Sequence, residues 1–121
     1  TQASSSAASD VYKRQFNNQG LAYFEKDEIT SSIKLFEKAI SIEDNAEPLL
    51  GLASCLRLKD IKFALELAKK SLAKDPNYVN YNYRKEQLWG EKLQASTEIL
   101  LQNKQLQDYV LLAKSKIEAS S

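Results

Sequence analysis

Residues 31–45 read SSIKLFEKAISIEDN, and residues 62–77 read KFALELAKKSLAKDPN. The two are variants of one text. Ser32, Ala39 and Asp44 stand at the same mutual spacing as Ala64, Ser71 and Pro76, with a shift of 32 residues at each point. An internal repeat of this period signals stacked helix pairs, because one such unit cannot bury its apolar face alone and needs a neighbour to cover it.

On both sides of this repeat the apolar spacing stays helical. Phe16, Gly20, Tyr23 and Phe24 recur at steps of three and four until the polar run EKDE at 25–28. Ile29, Ile33, Phe36 and Ile40 carry the next stripe, widened by Leu35, Ala39 and Ile42. SIEDNAEP then interrupts, and Pro48 suits the first turn of a new helix, where its missing N–H costs nothing. Leu49, Leu50, Leu52, Ala53 and Leu56 predict a short third helix; Ile61, Ala64, Leu65, Ala68 and Leu72 predict a fourth, stopped at Asp75-Pro76. No alternating β-branched run is long enough for a sheet. Short connections force successive helices antiparallel, so the expected fold class is all-α, an antiparallel helix-pair solenoid.

Here the sequence resembles the tetratricopeptide repeat family, whose unit of about 34 residues sets a large residue, then Gly-x-x-Tyr, a small residue, an aromatic, another small residue and a proline. In the first unit these places fall on Phe16, Gly20, Tyr23, Ser32, Phe36, Ala39 and Asp44. In the second they fall on Leu50, Ser54, Arg57, Ala64, Ala68, Ser71 and Pro76, provided that the turn at Lys59-Asp60 is two residues short. The first unit departs from the pattern at Gln19, where Leu is preferred, and at Asp44, which replaces Pro; the second is more degenerate. The resemblance implies one repeat over residues 16–46 and another over 47–77, with residues 78–121 as C-terminal capping helices that close the apolar end of the stack. In that last segment Leu88, Trp89, Leu93, Thr97 and Leu100 continue one stripe through 78–102, and Leu106, Tyr109, Val110, Ala113 and Ile117 give a shorter helix. Trp89 is either packed on the second repeat or an exposed anchor for a partner.

The N-terminus reads differently. Residues 5–15, SSAASDVYKRQ, resemble the translation of a transposase sequencing adaptor, and Thr1, Gln2, Ala3 and Ser4 fit the index bases that precede it. Residues 1–15 are therefore expected to be adaptor-derived, disordered or fortuitously helical, with the natural text starting near Phe16. Setting aside Asp10, Lys13 and Arg14 leaves 15 basic and 15 acidic residues. A neutral chain lacks the basic face that phosphate recognition requires, which counts against nucleic acid as a partner.

The chemistry-bearing residues are few. There is no His, which removes the commonest general base and neutral metal ligand. The single Cys55 lies among Leu52 and Leu56 and reads as a small buried hydrophobe rather than a nucleophile. The acidic run at 25–28 lacks the spaced ligands and sharp Gly of a calcium loop. The expectation is no enzyme, no cofactor and no metal. With no run near the length of a membrane span and no disulfide possible, a cytoplasmic location is expected.

In tetratricopeptide stacks the first helix of each pair lines an inner groove. The resemblance places Asn17, Leu21, Phe24, Gly51, Cys55 and Leu58 there, as a surface for an apolar or amphipathic peptide or helix. The C-terminal helices folding back to fill that groove is the competing reading. The family's carboxylate-clamp version is not supported, since Leu21 stands where an Asn is needed. Tyr78, Tyr81, Tyr83 and Arg84 form a second candidate, of the composition found at binding hot spots, though they can equally be packing. The expected function is a protein–protein interaction scaffold or assembly factor; the alternative is a non-catalytic accessory module of a larger enzyme.

Overall fold

The computed structural model describes residues 2–120, with side chains from residue 8 onward. Seven α-helices pack against one another: α1 (Gln2–Glu25), α2 (Ile29–Ile42), α3 (Ala46–Leu56), α4 (Ile61–Lys74), α5 (Tyr81–Glu86), α6 (Glu91–Leu101) and α7 (Gln107–Ser120). Short 3₁₀ turns at Pro76–Val79 and Lys104–Leu106 join α4 to α5 and α6 to α7, and the described residues contain no strand.

The internal repeat is visible in helix boundaries. Shifting α2 by 32 residues gives the limits of α4 at both ends. Each starts one residue after an acidic side chain, Glu28 or Asp60, whose carbonyl takes the N–H of Ser32 or Ala64. Each ends on an extended residue, Glu43 or Asp75, whose N–H returns to the carbonyl of Ala39 or Ser71. Asp60 also accepts from the N–H of Phe63 at 3.2 Å, a cap that contributes about 1 kcal/mol. The three repeat positions, Ser32, Phe36 and Ala39 in α2 and Ala64, Ala68 and Ser71 in α4, have no exposed surface at all.

Their burial explains the small residues opposite. The Phe36 ring lies between the backbones of α1 and α3: a Cβ added at Gly20 would come within 2.9 Å of it, and one at Gly51 within 2.7 Å. Ser32 Oγ donates to the Gly20 carbonyl at 2.7 Å, and Ser71 Oγ to the Ala46 carbonyl at 2.7 Å, so each buried hydroxyl is satisfied by the helix it packs on. The turn at Lys59-Asp60 is not the shorter of the two connections. α1 runs five residues beyond Gly20, whereas α3 stops two beyond Ser54, and the connection to α4 is longer than that to α2. Asp27, with φ of 64°, turns α1 into α2 in the left-handed region that Asp tolerates better than most residues.

The continuous stripe expected through 78–102 is broken. Leu88 adopts φ of 71° and stays 82% exposed, while its neighbour Trp89 turns inward and is buried. The Trp89 N–H closes on the Arg84 carbonyl at 3.1 Å. Holding Leu in that region costs roughly 1–2 kcal/mol, offset by burial of the indole. The break lets α6 lie across α1 and α3, and α7 across α4 and the first 3₁₀ turn. Leu106, Val110 and Ala113 fill the second contact, and Lys69 sits over the Tyr109 ring at 5.4 Å. The adaptor-like stretch is helical and continuous with Phe16, and Lys13 from it pairs with Glu43 at 2.6 Å.

Candidate functional site

The six residues expected to line an inner groove do not form an open one. Asn17, Leu21, Phe24, Gly51 and Cys55 are all buried, and only Leu58 is exposed, at 83%. Gly51 faces Phe36, and Cys55 Sγ lies 3.6 Å from Ser32 Oγ, so both belong to the contact with α2. Burial pushes the Cys55 thiol up to about 11, which removes it as a thiolate at neutral pH.

What covers α1 and α3 is α6, held there by polar bonds. Ser54 Oγ and Thr97 Oγ1 meet at 2.7 Å, Ser96 Oγ donates to the Ser54 carbonyl at 2.9 Å, and Arg57 Nε donates to Ser96 at 3.2 Å. Glu25 accepts the N–H groups of both Lys92 and Leu93 at 3.0 Å, capping the first turn of α6 from another helix. α6 thus packs directly on α1 and α3.

The second candidate lies mostly inside. Of Tyr78, Tyr81, Tyr83 and Arg84, only Tyr81 is exposed; Arg84 has no exposed surface and Tyr78 is buried. Arg84 is a bolt for the C-terminal segment. Its Nε donates to Gln94 Oε1 at 2.6 Å, its Nη1 to the Tyr78 carbonyl at 2.7 Å, and its Nη2 to Glu98. Gln94 in turn donates to the Tyr81 carbonyl at 3.0 Å. Burial pulls the guanidinium's pKa below its ordinary value and Glu98 pushes back. Arg84 and Tyr78 are therefore packed inside, Tyr83 is half-buried, and Tyr81 alone of the four stays exposed.

The structure supplies a different concavity. A cleft of about 710 Å³ opens where α1, the start of α3, the end of α4 and the turn after α5 converge. That volume lies in the range of ligand pockets. Glu47, in the first turn of α3, is among its lining residues. The indole N–H of Trp89 donates to Glu47 Oε2 at 2.9 Å, and the Asn17 amide and Tyr78 hydroxyl also hydrogen-bond this carboxylate. Burial holds the Glu47 carboxyl above the usual carboxylate range, against the pull of the three donors. The same burial raises the Tyr78 phenol, with the Glu47 charge adding to the effect.

One atom in this arrangement has no partner. Asn17 Oδ1 is the buried side-chain oxygen or nitrogen left without a hydrogen bond among the described residues. Asn17 is 95% buried and its amide nitrogen is turned to Glu47, so the carbonyl oxygen is the end left over. Around the mouth stand Lys13, Arg14 and Lys74 and, opposite in charge, Asp75 and Glu86. Lys13 is bound to Glu43 and Asp10, and Lys74 to Asp44 at 3.4 Å.

Of this cleft the sequence singled out Asn17 and Tyr78 and missed Glu47. A Glu in the first turn of a helix reads as an ordinary complement to the helix dipole, so nothing local marks it. Trp89 is packed on α3 through that same bond. Among the described residues no three His, Cys, Asp or Glu converge as a metal site, and no helix is long and apolar enough to cross a membrane. No protein family, no curated protein and no solved structure matches the chain.

Proposed function

We propose that this chain is a protein-interaction module, with no chemistry of its own, that holds a segment of a partner in the cleft around Glu47. Its scaffold is read as two tetratricopeptide-like helix pairs, α1–α2 and α3–α4, closed by α5–α7. The identical limits of α2 and α4 at a shift of 32 residues, and the Phe36 ring set between Gly20 and Gly51, support that reading. The inner face that such stacks offer is read as occupied by α6, so the interaction surface moves to the cleft lined by α1 and the start of α3.

The observation that carries the proposal is the cleft itself: about 710 Å³, walled by four separate elements and floored by a hydrogen-bonded carboxylate. Walls fixed by packed helices lose little ordering entropy when a peptide enters. A displayed library of random peptides, panned on the immobilised chain and re-measured in solution, tests this. Enriched peptides should bind saturably and lose affinity when Leu88, exposed at the mouth, is changed to Asp. A library that yields nothing, or peptides indifferent to that change, ends the proposal.

A further inference from the structure

We infer that the cleft recognises a primary ammonium group, presented by a lysine side chain of an extended peptide; this rests on the preceding reading of the cleft as a peptide site. The floor and the mouth make the same demand. Asn17 Oδ1 is an acceptor without a donor, and leaving a buried acceptor unpaired costs about 1–3 kcal/mol. Beside it Glu47 sits in a partly dry site, its position fixed by the Trp89 indole N–H, and a cation brought there favours its charged form. A group that fits both must carry several N–H donors and a positive charge. An ammonium offers three donors and a compact charge on a flexible four-carbon stem, narrow enough to reach a floor that the planar guanidinium fork matches less well.

The contact forms by exchange. Asn17 Oδ1 is shielded from solvent, so a rotamer step of Asn17 brings it to the ligand. The amide gives up its bond to Glu47, and the ammonium replaces it there while donating to Oδ1. The Asn17 N–H group that turns inward gives up its acceptor, a cost that the charge-assisted bond of the ammonium to Glu47 offsets.

The mouth fits the rest of a peptide. Asn18, Asn45 and Gln87 line it with amide groups that can pair with a backbone N–H or carbonyl. Asp75 and Glu86 add negative charge. Two of the three cations there, Lys13 and Lys74, are held by carboxylates outside the cleft. Arg14 remains as a positive charge at the entrance, in the stretch that resembles adaptor sequence.

The chain has one tryptophan, and it touches the floor carboxylate, so its fluorescence reports occupancy. The probes are a capped pentapeptide of four alanines around a central lysine, the same peptide with Nε-acetyl-lysine, and n-butylamine. The lysine peptide should shift Trp89 emission saturably, and the acetyl form should bind at least about tenfold more weakly, the cost of one lost charged hydrogen bond. Glu47→Gln should weaken the lysine peptide by about the same factor, and Arg14→Ser should strengthen it. If Glu47→Gln fails to fold by circular dichroism, the exposed Glu86→Gln decides, with an expected loss of about threefold. Equal affinity for lysine and acetyl-lysine peptides overturns the ammonium assignment and leaves the interaction module standing. Butylamine binding as tightly as the peptide assigns the site to free amines and overturns the peptide reading. No response to any probe overturns the inference outright.

Discussion

Helices α1–α4 and helices α5–α7 are built from different materials. In the first block the contacts are mainly shape against shape: Phe36 lies between two glycines, with Ala39, Ala64 and Ala68 fully buried. Two buried polar bonds across it run from the small side chains Ser32 and Ser71 to backbone carbonyls. In the second block the apolar residues still bury, but individual polar bonds set the position. Arg84 holds the 3₁₀ turn, α5 and α6 together, Glu25 caps α6 from α1, and Glu47 takes the Trp89 indole. A shape contact tolerates swaps that keep volume, whereas a buried charged bond loses most of its worth when one partner goes. Two kinds of fragility follow, and each can be probed separately.

The largest effect belongs to the first block. Phe36→Ala leaves a cavity between α1, α2 and α3 and should cost about 3–5 kcal/mol in urea unfolding, with the whole helical signal lost in one earlier transition. If Phe36→Ala moved the midpoint by less than about 1 kcal/mol, the interlock would not be what joins the two pairs.

Next comes the bolt of the second block. Arg84→Leu strands Gln94 Oε1 and the Tyr78 carbonyl, while the half-exposed Glu98 returns to solvent; the expected loss is about 3 kcal/mol. The contrast with Phe36 lies in where the loss shows. Trp89 fluorescence should change at lower denaturant than far-UV circular dichroism, because α5 and α6 loosen before α1–α4. Coincident transitions would merge the two blocks into one cooperative unit.

Gly90→Ala is smaller and more local. Its Cβ would lie 2.2 Å from Glu25 Cδ, so the Glu25 side chain must swing away and leave two N–H groups of α6 without their cap. About 1 kcal/mol is expected, and Glu25→Gln combined with Gly90→Ala should add little beyond it. Additive losses would mean that glycine acts here through something other than the cap.

Removal of residues 1–15 should do least. Lys13 joins Glu43 near the surface, and Val11 and Tyr12 are more than half exposed, so the loss should stay below about 1 kcal/mol. A drop in melting temperature of many degrees would make the adaptor-like helix part of the first block.

The legibility of the chain follows the same division. The limits of α2 and α4 could be read because both pairs use one spacing, and spacing is what a sequence displays. The groove and the tyrosine cluster could be named but not placed: whether Leu21 or Arg84 meets solvent depends on what later folds over it. The break at Leu88 was hidden because Leu88 and Trp89 both fit an unbroken stripe, and the contacts that hold Trp89 inside, with Glu47, Tyr78 and Arg84, come from other elements or turns.

By itself, then, the sequence determined an all-helical chain and the matching stretches that become α2 and α4, since periods of three to four residues and of 32 are local and repeat. The tertiary structure alone decided that α6 covers α1 and α3, that Arg84 lies inside, and that a carboxylate and an amide with one unpartnered oxygen meet at a cleft. The bonds behind those decisions join residues far apart in the chain, Glu25 to Leu93 across 68 positions and Glu47 to Trp89 across 42, and a pair that occurs once leaves no period to read.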